Sequence, residues 1–181
     1  FVTGVSASFS LGSALEQGKE RSVLLKKIIW RGVILMLLGL IYNNGLQLRP
    51  INDIRFMSVL GRIGIAYMLS SILFLYTKEQ MQIIWFAGLL IGYWLILKFT
   101  AAPGFPMGDL TEEGNFASYF DRSVLPGKLS RGIHDTVGLF NNIPAVSSGL
   151  AGIIVGNYLR RSTSTPEQKT RYMLLLGLGA L

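Results

Sequence analysis

Arg62 lies seven residues into the apolar run Phe56 to Tyr76. A guanidinium at that depth in a membrane-spanning segment costs from about 2.5 to more than 10 kcal/mol, so such residues face other helices or water. Its forked donors suit a phosphate, a carboxylate or a carbonyl oxygen. Arg55, Ser58 and Arg62 recur at helical spacing, with Ala66 one turn further on, so a helix running through them places all on one face. The alternative of equal standing is that Arg62 pairs with Asp53, Asp109 or Asp135 to fix a bundle.

Other polar residues gather near the ends of apolar runs. His134 and Asp135 are adjacent, and a histidine beside a carboxylate invites an acid/base reading. Adjacent side chains seldom orient one another, so the pair is a weak catalytic candidate, more simply read as loop. Asn141 and Asn142 open an apolar run, where they cap a helix or face a substrate. Asn43 and Asp109 border external segments as further substrate-side candidates. The chain has no cysteine, which removes disulfides, thiol catalysis and cysteine–metal sites together. No metal-ligand cluster, nucleophile elbow or phosphate-binding glycine loop is legible.

The elements that position these residues read as an all-α, polytopic transmembrane bundle. Half of the 181 residues are hydrophobic and 15% are charged. Four runs, 28–48, 56–76, 81–100 and 137–159, approach the roughly 20 apolar residues that cross a bilayer. Runs 1–15 and 171–181 are shorter and abut the chain ends, as two spans cut through would, so the expectation is four full spans plus two partial ones in a single domain of a larger bundle. Gly152 and Gly156 form a small-xxx-small pattern, read as plain helix packing. Ten of the 17 basic residues, among them Lys26, Lys27, Arg31, Lys78, Arg160 and Arg161, fall on one side with four acids. Arg49 and six other basic residues share the opposite side with six acids. The first side is therefore expected in the cytoplasm. This asymmetry accounts for the pI of about 9.9 without a nucleic acid. Externally, 101–136 is a long patterned loop in which Glu112 to Arg122 reads as a short surface helix, with Asp121 and Arg122 pairing locally.

Four stretches resemble the heparan-alpha-glucosaminide N-acetyltransferase family and its bacterial relatives: KKIIWRGVILMLLGLIYN (26–43), INDIRFMSVLGRIGIAYML (51–69), GDLTEEGNFASYFDRSVLPG (108–127) and HDTVGLFNNIPAVSSGLAGIIVG (134–156). The resemblance implies a transmembrane acyltransferase of a bacterial inner membrane. Such an enzyme takes acetyl from cytosolic acetyl-CoA, as co-substrate, to the amino group of an external glucosamine-type sugar. It implies that Arg62, Arg31, Lys26 and Lys27 serve the coenzyme and that Asn43, Asp109, Asn141 and Asn142 serve the acceptor. No metal is implied. The partners are the bilayer and the amino sugar, with a homo-oligomer open.

Two departures accompany it. The family commonly reads Asp-Pro-Glu-Gly where residues 135–138 read Asp-Thr-Val-Gly, which bears on the acceptor. The family's catalytic histidine and Trp-Asn-Gly motif fall upstream of the sequence given, so the expectation is that this chain alone does not catalyse. An enzyme should bring Arg62, Asn43 and Asn141 to one cavity reaching toward the cytoplasm. A transporter should show paired interrupted helices with internal symmetry. A structural subunit should bury Arg62 against an acid.

Overall fold

The computed structural model describes residues 1–45, 50–160 and 166–179. Among them are seven α-helices, one 3₁₀ turn at Ile51–Asp53 and no strand. The helices are α1 (Val2–Glu16), α2 (Arg21–Asn44), α3 (Val59–Tyr76), α4 (Glu79–Phe99), α5 (Phe116–Val124), α6 (Asn142–Arg160) and α7 (Pro166–Gly179). The all-α expectation holds. The end of the 28–48 run, Arg49, Arg161 and residues 180–181 lie outside the described residues.

Central to the bundle are α3 and α6, with α1 against both, α2 on α3 and α4 on α6. Small residues set how closely the backbones approach. A Cβ on Gly4 would come within 2.0 Å of the Gly149 carbonyl oxygen, and one on Gly156 within 1.9 Å of the Ser8 hydroxyl, so α1 and α6 run parallel through a seam of glycine and serine. The reading of Gly152 and Gly156 as helix-packing residues fits this seam, since a Cβ on Gly152 would meet the Phe1 carbonyl at 2.1 Å. Between α2 and α3, Gly32 faces Gly64 and Met68 while Gly39 faces Ser58 and Gly61, which makes the pair antiparallel. The bundle therefore has a basic end, with Arg21, Lys78 and Arg160, and a loop end, where α5 and the 100–141 segment sit.

Two apolar clusters fill the bundle: Ala7, Leu11, Ala14, Leu24, Ile28 and Leu75 toward the basic end, and Val146, Leu150 and Ile153 between α6 and α4. Helix α4 is inverted relative to a water-soluble helix. Its one buried residue is Gln82, whereas Ile84, Ile91, Trp94 and Phe99 are all more than half exposed.

Several boundaries differ from those the sequence suggests, each for a local reason. Helix α3 begins at Val59, because Ser58 caps it by accepting a hydrogen bond from the Gly61 N–H at 2.9 Å. Arg55 thus precedes the helix, and Arg55, Ser58 and Arg62 do not share a helical face. Helix α6 starts at Asn142, since 137–141 are held in turns. Helix α2 begins at Arg21 and carries Lys26 and Lys27 within it. By length and composition α3 and α4 are, among the described residues, the helices able to cross a membrane. Lys27 and Arg31 dilute the apolarity of α2, asparagine, serine and glycine dilute α6, and α1 and α7 have only 15 and 14 residues.

Glycine substitutions separate packing from propensity. Gly4→Ala forces α1 off α6 and should cost about 1–3 kcal/mol. Gly88→Ala on α4, with nothing within 4 Å of the new Cβ, should be neutral or stabilising by up to about 1 kcal/mol. Unfolding of the purified protein in detergent measures both.

Candidate functional site

The loop end holds the most concentrated set of buried polar groups in the described chain. It is built around Asp135, whose side chain is 1% exposed. One carboxylate oxygen accepts from the Arg55 guanidinium at 3.3 Å and from the Val137 N–H at 3.0 Å; the other accepts from the Ser130 N–H at 3.1 Å. The Asp135 carbonyl accepts from the Asn141 amide at 3.3 Å, and the Asn141 oxygen accepts from the Tyr93 hydroxyl at 2.8 Å. One aspartate thereby ties the α2–α3 connection, the long loop, the entry to α6 and the end of α4.

Helix α5 covers this knot. Asn115 caps it by accepting from the Ala117 N–H, and its inner face presents Ala117, Ser118 and Asp121, all buried. Phe116 and Phe120 pack on Phe140, itself against Tyr93 at 5.5 Å. The expected surface helix is thus present but shorter, and it plugs the bundle. Asp121 and Arg122 do not pair: Arg122 donates to the carbonyls of Glu112, Glu113 and Ile133, binding the loop to itself, while Asp121 turns inward.

Asp121 is completely buried; one oxygen accepts from the Phe140 N–H at 3.2 Å and the other has no hydrogen-bond partner. A Cβ at position 138 would lie 1.7 Å from that second oxygen, so Gly138 is required for the carboxyl to sit there. Burial pushes the Asp121 carboxyl up; backbone N–H groups of Phe140 and Leu139 pull it down, the Asp135 charge raises it and His134 lowers it, with a net upward shift.

His134 and Asp135 take separate partners. His134 Nδ1 is 2.7 Å from the Ser118 hydroxyl, whereas the Asp135 carboxylate is occupied by Arg55 and two backbone groups. Arg62 is partly buried and donates to the Thr136 carbonyl at 3.2 Å. No ion pair involves it among the described residues, and Asp135 goes to Arg55 instead. Its side chain lines an open cavity of about 440 Å³ with Val59, Ala66, Ala145, Ser148 and Gly149.

The other candidates do not converge on that cavity. The Asn43 amide donates to the Met57 carbonyl at 2.7 Å and Asp109 accepts from the Thr111 N–H at 2.8 Å, both shaping backbone. The Asn142 amide donates to the carbonyls of Gly138 and Leu139. Lys26, Lys27 and Arg31 are exposed on α2, and Lys26 and Lys27 border a separate groove beside Trp30. From the α2–α3 pairing they lie one to two turns or more from the level of Arg62, roughly 5–15 Å along the helix axis. A cavity of about 430 Å³ at the basic end is lined instead by Arg21, Thr77, Lys78, Glu79, Gln82 and Asn157 together with apolar side chains.

Sequence reasoning passed over Asp121, Ser118, Tyr93 and Asn44 as members of this end. Ser118 and Asp121 share one face of α5, a signal available in their spacing of three. Asn44 carried no such signal: from the last residue of α2 it accepts from the Arg55 N–H and donates to the Arg55 carbonyl, fixing Arg55 eleven residues on.

No family model matches the sequence. Among the described residues, fold and site together define an all-helical arrangement with two helices long and apolar enough to cross a membrane and a buried arginine–aspartate–amide knot at one end. The chain is similar to the heparan-alpha-glucosaminide N-acetyltransferase of Mus musculus, 34% identical over 76 residues that cover 40% of this chain and 12% of that protein. The relationship is a distant one to an N-acetyltransferase, of which the chain spans a small part.

The raised Asp121 carboxyl gives a signed pH dependence. Its contribution to stability is complete below the unfolded value of 3.8 and is lost as pH rises through the higher folded value. Asp121→Asn keeps the acceptor for Phe140 and removes the charge. Its melting temperature, relative to the unsubstituted protein, should therefore rise across the mildly acidic range; a pH-independent difference would contradict the assignment.

Proposed function

We propose that this chain belongs to the membrane domain of an acyltransferase of a bacterial cytoplasmic membrane. The enzyme moves acetyl from acetyl-CoA on the basic, cytoplasmic side to the amino group of a glucosamine-type sugar on the loop side. The similarity to an N-acetyltransferase carries this reading. In it α1, α2, α6 and α7 also cross the bilayer, beside α3 and α4. The inverted burial of α4 supports that placement, because exposed tryptophan, leucine and isoleucine around a buried glutamine are favoured by lipid and disfavoured by water.

Arg62 is the residue assigned to the reaction. Its guanidinium has one carbonyl partner, no acid, and a cavity at its side, so it retains donors for an incoming oxygen. Placed against the thioester carbonyl, it would stabilise negative charge developing there as the amine attacks. The coenzyme's phosphates are assigned to the basic end, where Lys26, Lys27 and Arg31 attract them in solution and Arg21 and Lys78 line a cavity together with one acid, Glu79. Asn141, held by Tyr93 and Asp135, and the Asn43, Asp109 and Asn142 turns shape the acceptor side. Ser118 is buried and Asp135 is fully engaged, so His134 is assigned no proton transfer.

Arg62→Ala in the full-length protein should lower acetyl transfer from acetyl-CoA to glucosamine at least tenfold, about 1.4 kcal/mol, with Arg62→Lys recovering part of it. Transfer and acetyl-CoA binding both unchanged in Arg62→Ala would overturn the role.

A further inference from the structure

Helix α2 buries one face through Leu24, Ile28, Gly32 and Gly39. Outside that face lies an open groove of about 430 Å³ lined by Val23, Lys26, Lys27, Ile29, Trp30 and Val33. Its walls are hydrocarbon, the stems of the two lysines included. Trp30 follows Lys26 by four residues and Lys27 by three, so it stands beneath both on one side of the helix. Val33, Leu37 and Ile41 continue that side at spacings of three and four, and Trp30 and Leu37 are more than half exposed. From Lys27 to Leu37 the helix rises roughly 15 Å, the depth of one leaflet in a hydrocarbon core about 30 Å thick.

The charge above this apolar stripe is one-sided. Between Lys19 and Arg31 the chain has five basic residues and one acid, Glu20, which accepts from the Ser22 hydroxyl at 3.1 Å. Lys26 and Lys27 are exposed, and no ion pair among the described residues involves either. A basic cluster of this size at the cytoplasmic end of a membrane helix attracts anionic lipid. Its two ammonium groups sit just outside the apolar run that starts at Ile28, with Trp30 one turn inside, the order in which headgroup and indole follow one another in a bilayer. Charge selects an anion, and the apolar floor selects what the anion is attached to. Steering of the coenzyme, assigned above to the same lysines, acts at a distance and needs no contact; the groove is a contact site, and its floor suits a hydrocarbon chain that a coenzyme lacks.

We infer that Lys26, Lys27 and Trp30 form a binding site for an anionic phospholipid. The phosphodiester lies between the two ammonium groups, and one hydrocarbon chain passes over Trp30 and Val33 toward Leu37. This rests on the membrane placement proposed above, in which α2 crosses the bilayer with its basic end in the cytoplasm. A lipid whose headgroup carries its own cation has less to gain from the lysines, so the site discriminates by net headgroup charge.

The test uses the full-length protein in phosphatidylcholine bilayers doped with phosphatidylglycerol that carries a diazirine a few carbons down one chain. After irradiation, the labelled residues are mapped by mass spectrometry. Labelling of Trp30 and Val33 should saturate, and unlabelled phosphatidylglycerol should displace it. Lys26→Gln/Lys27→Gln, at exposed positions that spare the packing, should raise the mole fraction needed for half-saturation roughly thirtyfold. Trp30→Ala should raise it several-fold with no change of charge. Lys19→Gln/Lys169→Gln, which takes the same charge from the same end, should change it less than about twofold, because salt screens charges away from the contact. Equal weakening by the two double variants would reduce the site to diffuse surface charge and overturn it. Equal labelling of Trp30 and Val33 by a phosphatidylcholine probe would overturn it too, as would displacement of the label by acetyl-CoA, which would give the groove to the coenzyme. Label on α4 without label on α2 would overturn the site alone. Absence of label from α2 and α4 alike would instead contradict the membrane placement.

Discussion

The loop end depends on a single buried carboxylate. Asp135 accepts from Arg55, 80 residues away, and from the nearby Ser130 and Val137 N–H groups while its carbonyl holds Asn141, so the α2–α3 connection is locked to the end of the long loop and the entry to α6 at one residue. A charge so buried is tolerable only with its partners in place, and removing one from such a pair leaves a costly uncompensated ion. Pairing Asp135 with Arg55 has a consequence one turn away. Arg62, the other cation within reach, is left to a backbone carbonyl, and its charge stays available beside an open cavity.

Small residues make that arrangement possible at the level of the helices. The glycine and serine seam of α1 on α6, and the glycine contacts of α2 on α3, bring backbones together without large side chains between them. Polar groups at the loop end are then held by rigid helix termini, while the long apolar side chains of α2 and α4 turn outward. Tight packing inside and apolar exposure outside are what a helical protein in lipid requires, where burial of hydrocarbon gives little drive for helix association.

The apolar runs and their order were legible because hydrophobic length is a strong signal; α4 spans 79–99 against an expectation of 81–100. Ends were less so. Ser58, read as a residue on a helical face, is the cap that stops the helix from including Arg55. Arg62 was recognisable from its depth in an apolar run as a charge within a helix, α3. That Asp135 would choose Arg55 depended on Asn44, which fixes the Arg55 backbone across a gap of eleven residues that no periodicity encodes. Asp121 and Arg122 show the same limit. Opposite charges next to one another in sequence point to different sides of a helix, and one went to the core while the other went to loop carbonyls.

A basic end and a polar loop end are joined by closely packed helices, two of which among the described residues are long and apolar enough to cross a membrane, and Arg62 lies near the loop end. Passage of acetyl between the two ends is what the proposed acyltransferase requires. It is tested most directly with the full-length protein in sealed vesicles, with labelled acetyl-CoA supplied on one side and glucosamine on the other. Labelled N-acetylglucosamine should form on the glucosamine side when acetyl-CoA faces the basic end. Product appearing only when both substrates share one side, or in no arrangement at all, would contradict the account.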